Sequence, residues 1–133
     1  MVGRMTTPNL EVRVAARDKV TVLTLIGWLA SSNQHLLDES FTDAMRNGAC
    51  RFVVDLEHVR LSDNSALAVF AYWTSTLHER GGCVVLASPS EESLRVLAVG
   101  GMDKYLAIRG TIDEAVKLAK RKTESGRWAP VTV

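Results

Sequence analysis

Arg51-Phe52-Val53-Val54-Asp55-Leu56, followed a little further on by Leu61-Ser62-Asp63-Asn64-Ser65-Ala66-Leu67, is the stretch that decides the fold. Phe52, Val53 and Val54 run together without alternation, as in a strand covered on both faces of a parallel sheet. Glu57–Asn64 reads as the loop that leaves this strand. From Ser65 to Arg80 there is neither glycine nor proline, and Leu67, Phe70, Ala71, Thr74 and Leu77 recur at helical spacing, so a long amphipathic helix begins at Ser65. Gly81-Gly82 ends it.

The same alternation extends in both directions. Upstream, Glu11–Arg17 and Val20–Gly27 are rich in β-branched and aliphatic residues and flank the polar break Arg17-Asp18-Lys19, which suits a hairpin. Ala30-Ser31-Ser32-Asn33 is rich in capping residues and leads into a helix over Gln34–Asn47, stopped by Asn47-Gly48. Downstream come a strand over Cys83–Ala87, a helix over Ser90–Val99 and a short strand over Tyr105–Arg109. The last helix, Ile112–Lys122, opens on the capping box Thr111/Glu114. A hairpin followed by helix–strand alternation predicts an α/β fold: a mixed sheet of about five strands, the later ones parallel, with about four helices. One domain is expected over residues 10–122, with flexible ends at 1–9 and 123–133.

Composition narrows the function classes. The chain has 133 residues and is 47% hydrophobic, enough for one proper core. Its 16 basic and 15 acidic side chains leave a net charge of +1, too little field to hold a polyanion, so nucleic acid is not an expected partner. The cluster Lys117, Lys120, Arg121 and Lys122 complements the end of a helix dipole. No apolar run approaches the roughly 20 residues that a membrane span requires, and Met1–Leu10 lacks a secretory pattern, so a cytoplasmic protein is expected with no membrane contact. Cys50 and Cys83 lack CxxC spacing and the three histidines are scattered, so no metal and no cofactor is expected, and both cysteines read as free structural thiols. His58 is the histidine nearest Ser65 in sequence, but nothing supplies an oxyanion hole or cofactor loop, and an enzyme is not expected.

In open α/β sheets, partners gather beyond the carboxyl ends of the parallel strands. Two segments fall there: Gly27-Trp28-Leu29-Ala30 and Leu61–Leu67. Asp63 or Asn64 can cap the long helix, and Ser65 then sits in its first turn near unpaired backbone N–H groups, where a phosphate would be stabilised. Equally, Asp-Asn-Ser is a good capping cluster in its own right. Ala66, Val69 and Trp73 form a stripe turned partly away from the core stripe, which makes Trp73 a contact anchor or an ordinary edge-of-core residue. Trp28, in a loop beside the rim, is the other aromatic candidate.

This chain resembles the STAS domain family of anti-sigma-factor antagonists. The likeness lies in the Val53-Val54-Asp55-Leu56 strand, Asp63-Asn64-Ser65-Ala66-Leu67 at the helix start, Gly27-Trp28-Leu29 after the second strand, and Gly81-Gly82. It continues through Ser88-Pro89-Ser90, Leu94-Arg95-Val96-Leu97 and Gly101-Met102-Asp103-Lys104-Tyr105, covering about residues 10–120. The resemblance implies a STAS-like fold and a partner that is an anti-sigma factor of the ATP-binding serine-kinase type. It implies that Ser65 is the phosphoacceptor and that Asp63, Asn64, Ser65, Ala66, Val69, Trp73, Trp28 and Ala30 make the partner surface. Three positions depart from the family pattern: Asn64 for serine, Ala66 for glycine and Ala30 for aspartate. They keep open a second implication, a STAS scaffold subunit of a stress-signalling or lipid-transport complex whose serine is not phosphorylated. The sequence leaves homodimerisation open.

Overall fold

The computed structural model describes residues 3–62 and 65–121, and of Ser65 the backbone alone. They form six strands and four α-helices in the order β1 (Gly3–Thr7), β2 (Leu10–Arg17), β3 (Val20–Leu29), α1 (Gln34–Arg46), β4 (Arg51–Leu61), α2 (Ser65–Glu79), β5 (Cys83–Ala87), α3 (Glu91–Val99), β6 (Ala107–Arg109) and α4 (Ile112–Lys120), with a single 3-10 turn at Met102–Lys104 before β6. The sheet order is β1-β2-β3-β4-β5-β6; β1, β2 and β3 are antiparallel neighbours, and β3 to β6 run parallel. Right-handed crossovers that step one way along a sheet leave every connecting helix on the same face. Accordingly the main core joins Leu36, Leu37 and Phe41 of α1, Phe70 and Leu77 of α2 and Leu97 of α3 to Leu25, Phe52, Val54 and Leu86 of the sheet. Among the described residues the helix α4 covers the other face, over Val20, Val53, Val85 and Ala107. No helix among the described residues is long and apolar enough to cross a membrane.

The sequence-based expectations are corrected at three places. The sheet has six strands rather than about five, because Gly3–Thr7, expected to be flexible, pairs along β2 from Gly3↔Val14 to Thr7↔Leu10. Of β1, Met5 packs against the core, and the remaining residues are exposed or half-buried as in an edge strand, so no alternating apolar pattern announces it. The segment Glu57–Leu61, expected to be loop, continues β4. The cause is a bulge: Thr24 pairs with Asp55 and Ile26 with His58, so β4 uses one residue more than β3 and the apolar alternation breaks at Leu56-Glu57. The buried Asp55 carboxylate accepts the Glu57 N–H at 3.0 Å and holds the bulge. The last strand is shorter than Tyr105–Arg109, since the 3-10 turn takes the chain up to Lys104. The expected flexible tail over 123–133 lies outside the described residues.

Local chemistry explains the remaining joints. The β2–β3 hairpin turns through Asp18 and Lys19, both left-handed at φ 53° and 69°, as a two-residue turn matching strand twist requires. Ser90 accepts the Ser93 N–H at 3.1 Å and Thr111 the Glu114 N–H at 3.1 Å, capping α3 and α4 as their sequences suggest. Gly27 is irreplaceable for a different reason: its φ is 116° and a Cβ there would lie 2.2 Å from the Asn9 carbonyl oxygen. That oxygen accepts the Trp28 N–H at 2.8 Å, which ties the β1–β2 turn to the end of β3. Cys50 and Cys83 are not joined by a disulfide, and the Cys83 thiol donates to the Ala119 carbonyl at 3.6 Å.

Candidate functional site

The ends of β3 and β4 and the starts of α1, α2 and α3 meet at one edge of the sheet. Trp28 is in the strand rather than in a loop, since β3 runs on to Leu29, and it is 55% exposed. The Arg60 guanidinium lies 5.8 Å from the centre of its ring and 3.6 Å from the Glu92 carboxylate in the first turn of α3. Trp28, Arg60 and Glu92 thus make a continuous rim across three elements, with the cation over the aromatic face. Behind the rim, buried Asn33 does not cap α1 with its side chain. Its amide oxygen accepts the Ala30 N–H at 2.9 Å and its NH2 donates to the Trp28 carbonyl at 2.8 Å. Ser62 N–H donates to the Leu29 carbonyl at 3.0 Å, so the backbones of both strand ends are fixed together. Ala30 is half-buried beside them.

The helix α2 opens at Ser65, directly beyond β4, and has no acidic residue in its first turn. Asp63 and Asn64 lie outside the described residues. The stripe Ala66, Val69 and Trp73, expected to turn toward a partner, is core: the three are 0%, 5% and 6% exposed. The sheet below and α1 beside it bury a wide arc of α2, so the stripe next to the Phe70/Leu77 ridge is covered as well. Trp73 stacks on Phe41 at 4.9 Å and 11° and donates its indole N–H to the Asp38 carboxylate at 2.6 Å. Its role as an exposed anchor is therefore corrected to that of the joint between α1 and α2.

The exposed face of α2 is one step round the helix. Ala68 and Tyr72, three and seven positions after Ser65, share its side of the helix by spacing, and Tyr72 is 59% exposed. Tyr72 stands edge-on to Trp73 at 5.1 Å. Between α1 and α2 this face borders a groove of about 440 Å3 lined by Gln34, Asp38, Thr42, Ala68 and Tyr72, with Trp73 as part of its wall. The Gln34 side-chain carbonyl is buried and has no hydrogen-bond partner among the described residues. Sequence reasoning overlooked Tyr72, Gln34 and Arg60. The spacing 65, 68, 72 was the available signal for the first; nothing local marks the other two. His58 is exposed on the sheet face away from α2, where it pairs with Ile26, and it does not join Ser65.

The STAS domain family profile matches residues 11–115. The chain belongs to the STAS domain family. Among relatives of this STAS domain is a Thermotoga maritima protein provisionally named an anti-sigma factor antagonist. It is 29% identical over 106 residues, which cover 79% of this chain and 94% of the relative. A crystal structure of a provisionally named anti-sigma factor antagonist from Thermotoga maritima superimposes with a TM-score of 0.71 at 26% identity, covering 81% of this STAS domain and 93% of that chain. The fold is also that of the anti-sigma factor antagonist SpoIIAA in its unphosphorylated form (TM-score 0.69, 18% identity, 82% and 96% covered). The phosphorylated form of SpoIIAA from Bacillus matches with a TM-score of 0.61, again at 18% identity, covering 80% and 96%.

Proposed function

We propose that this STAS domain is an anti-sigma factor antagonist: it binds an anti-sigma factor of the ATP-binding serine-kinase type and is released when that kinase phosphorylates Ser65. The cytoplasm is where such an exchange would take place. The observation that carries this reading is the position of Ser65 as the first residue of a 15-residue helix, at the end of the sheet and one turn before Ala68 in the groove between α1 and α2. A phosphoryl group there would add about −1.5 to −2 charges, partly compensated by the helix N-terminus, in the middle of a protein-binding surface. It would change the surface without touching the core.

Two departures from the family pattern have a physical reading on this structure. The Ala66 methyl is fully buried, so it fills core space and leaves the outer surface of the first turn unobstructed. Ala30 is half-buried and its N–H is already taken by Asn33, so the rim there is formed by Trp28 and Arg60 in place of a carboxylate. The partner surface proposed here accordingly keeps Trp28, Ala30 and the Asp63–Ser65 segment, replaces Trp73, Ala66 and Val69 by Tyr72 and Ala68, and adds Arg60 and Gln34.

The test is incubation with candidate anti-sigma kinases and ATP, read by intact mass and by co-elution. A phosphoryl mass gain lost in Ser65→Ala, with Ser65→Asp weakening the complex and Ser65→Ala preserving it, is the expected result. Complex formation with no modification would assign the scaffold role instead; equal affinity of all three forms would remove Ser65 as the switch.

A further inference from the structure

The face of the sheet under α4 is covered only in part. Leu25 and Leu29 of β3 enter the core beneath α1 to α3, so strand alternation sends Thr24, Ile26 and Trp28 to the opposite side. There α4 packs over Val20 and Val22, at the start of the strand. Beyond them exposure rises along the same line: Thr24 and Ile26 are half-buried and Trp28 is 55% exposed. An aliphatic and an aromatic side chain thus stand on a stretch of sheet that no helix among the described residues covers.

The strand register sets charges around this strip. Glu11 of β2 lies beside Ile26, Arg13 beside Thr24, and Arg60 of β4 beside Trp28. Each arginine has an acid within reach. Arg13 is 2.6 Å and Arg4 3.9 Å from the Glu11 carboxylate, and Arg60 is 3.6 Å from that of Glu92. With Glu57 at the bulge, Arg4, Arg13 and Arg60 are matched by as many carboxylates, so the surface has no excess field to draw in a polyanion or a basic peptide. An isologous contact has a different requirement, a surface that complements itself. A face of one sign repels its own copy, whereas one on which acids and bases alternate offers a guanidinium a carboxylate on the facing molecule. An apolar strip inside a polar rim is also the anatomy of protein–protein contacts.

We propose that this face is where two copies of the chain associate, sheet on sheet about a two-fold axis, with Ile26 and Trp28 of both copies in contact and the Glu11–Arg13 and Arg60–Glu92 pairs closing the rim. Four strands at about 4.8 Å spacing and five residues at about 3.3 Å each make a patch of only about 15 Å each way. That is the small end of protein interfaces, so the dimer forms at high protein concentration and dissociates on dilution. The association does not depend on Ser65, but it bears on partner binding: a dimer closed over Trp28 withholds that ring from an anti-sigma factor, so the two compete.

The experiment is sedimentation velocity of the full chain with no partner present, from about 10 μM to about 1 mM, with amide and indole NMR shifts followed over the same dilution. The expected result is a mass that climbs toward that of two chains, with concentration-dependent shifts at Arg13, Thr24, Ile26 and the Trp28 indole. Trp28→Ser should weaken the association about thirtyfold or more and Arg60→Glu about tenfold, both with dispersed spectra. Tyr105→Ser, which removes an exposed ring elsewhere, should leave it unchanged. A chain still monomeric at the highest concentration, a dimer that survives Trp28→Ser, or concentration-dependent shifts confined to α1 and α2 would overturn the proposal. So would a Trp28 indole shielded from acrylamide at every concentration, since the chain would then cover this face itself. Because no anti-sigma factor takes part, failure here leaves the Ser65 switch standing, and failure of the switch leaves this result untouched.

Discussion

Two tryptophans stand on the same side of the sequence reading and on opposite sides of the structure. Trp28 ends β3 with more than half its surface in solvent, held from one side by Arg60. Trp73 sits mid-helix, sealed between Phe41 and the Tyr72 ring, its N–H committed to Asp38. The difference teaches that an aromatic residue becomes a contact through what fails to cover it. At the end of β3 no helix among the described residues crosses the strand's outer face, whereas on α2 the sheet and α1 together leave only a narrow arc open.

The contrast can be broken experimentally, and the largest effect is expected at the covered ring. Trp73→Ala should lose about 3–5 kcal/mol of stability in urea or thermal unfolding, as other large-to-small core changes do. Gly27→Ala, next to the exposed ring, should cost about 2–4 kcal/mol by the same measurement, because a left-handed backbone and a clash with the Asn9 carbonyl are combined. Asp38→Ala, which removes only the acceptor of the Trp73 N–H, should cost about 1–2 kcal/mol. Trp28→Ala should cost at most about 1 kcal/mol, the loss of one exposed cation–π contact, yet weaken the partner complex. Acrylamide quenching sharpens the same comparison: in a Trp128→Phe background, Trp73→Phe should leave a readily quenched fluorophore and Trp28→Phe a protected one. Equal quenching of the two would contradict the contrast.

Much of the fold was legible because its elements obey simple periods. The β2–β3 pair, the apolar run at Phe52–Val54 and the capped helices α3 and α4 each carry their own signal. The first strand carries none, since an edge strand with one core-facing methionine has no reason to alternate. The end of β4 does alternate, with Val59 and Leu61 buried and His58 and Arg60 exposed, but the Asp55 bulge shifts its phase relative to the beginning of the strand. At the candidate site, Ser65 could be placed on a helix start from its neighbours alone, and Trp28 at the rim likewise. Which stripe of α2 faces outward depends on the angle at which α1 packs against it, a tertiary quantity that spacing along one helix does not contain. The Trp28–Arg60–Glu92 rim joins residues that only strand register and a crossover bring together.

The modest first strand has a protective role. By occupying the outer margin of β2 from Leu10 to Val14, Gly3–Thr7 denies that part of the ladder of amides and carbonyls to other molecules. A chain begun at Leu10 would retain both hydrophobic layers but present the eight-residue β2 as a bare template. Its failure would show as self-association and fibril-like precipitation, a loss of colloidal behaviour rather than of architecture.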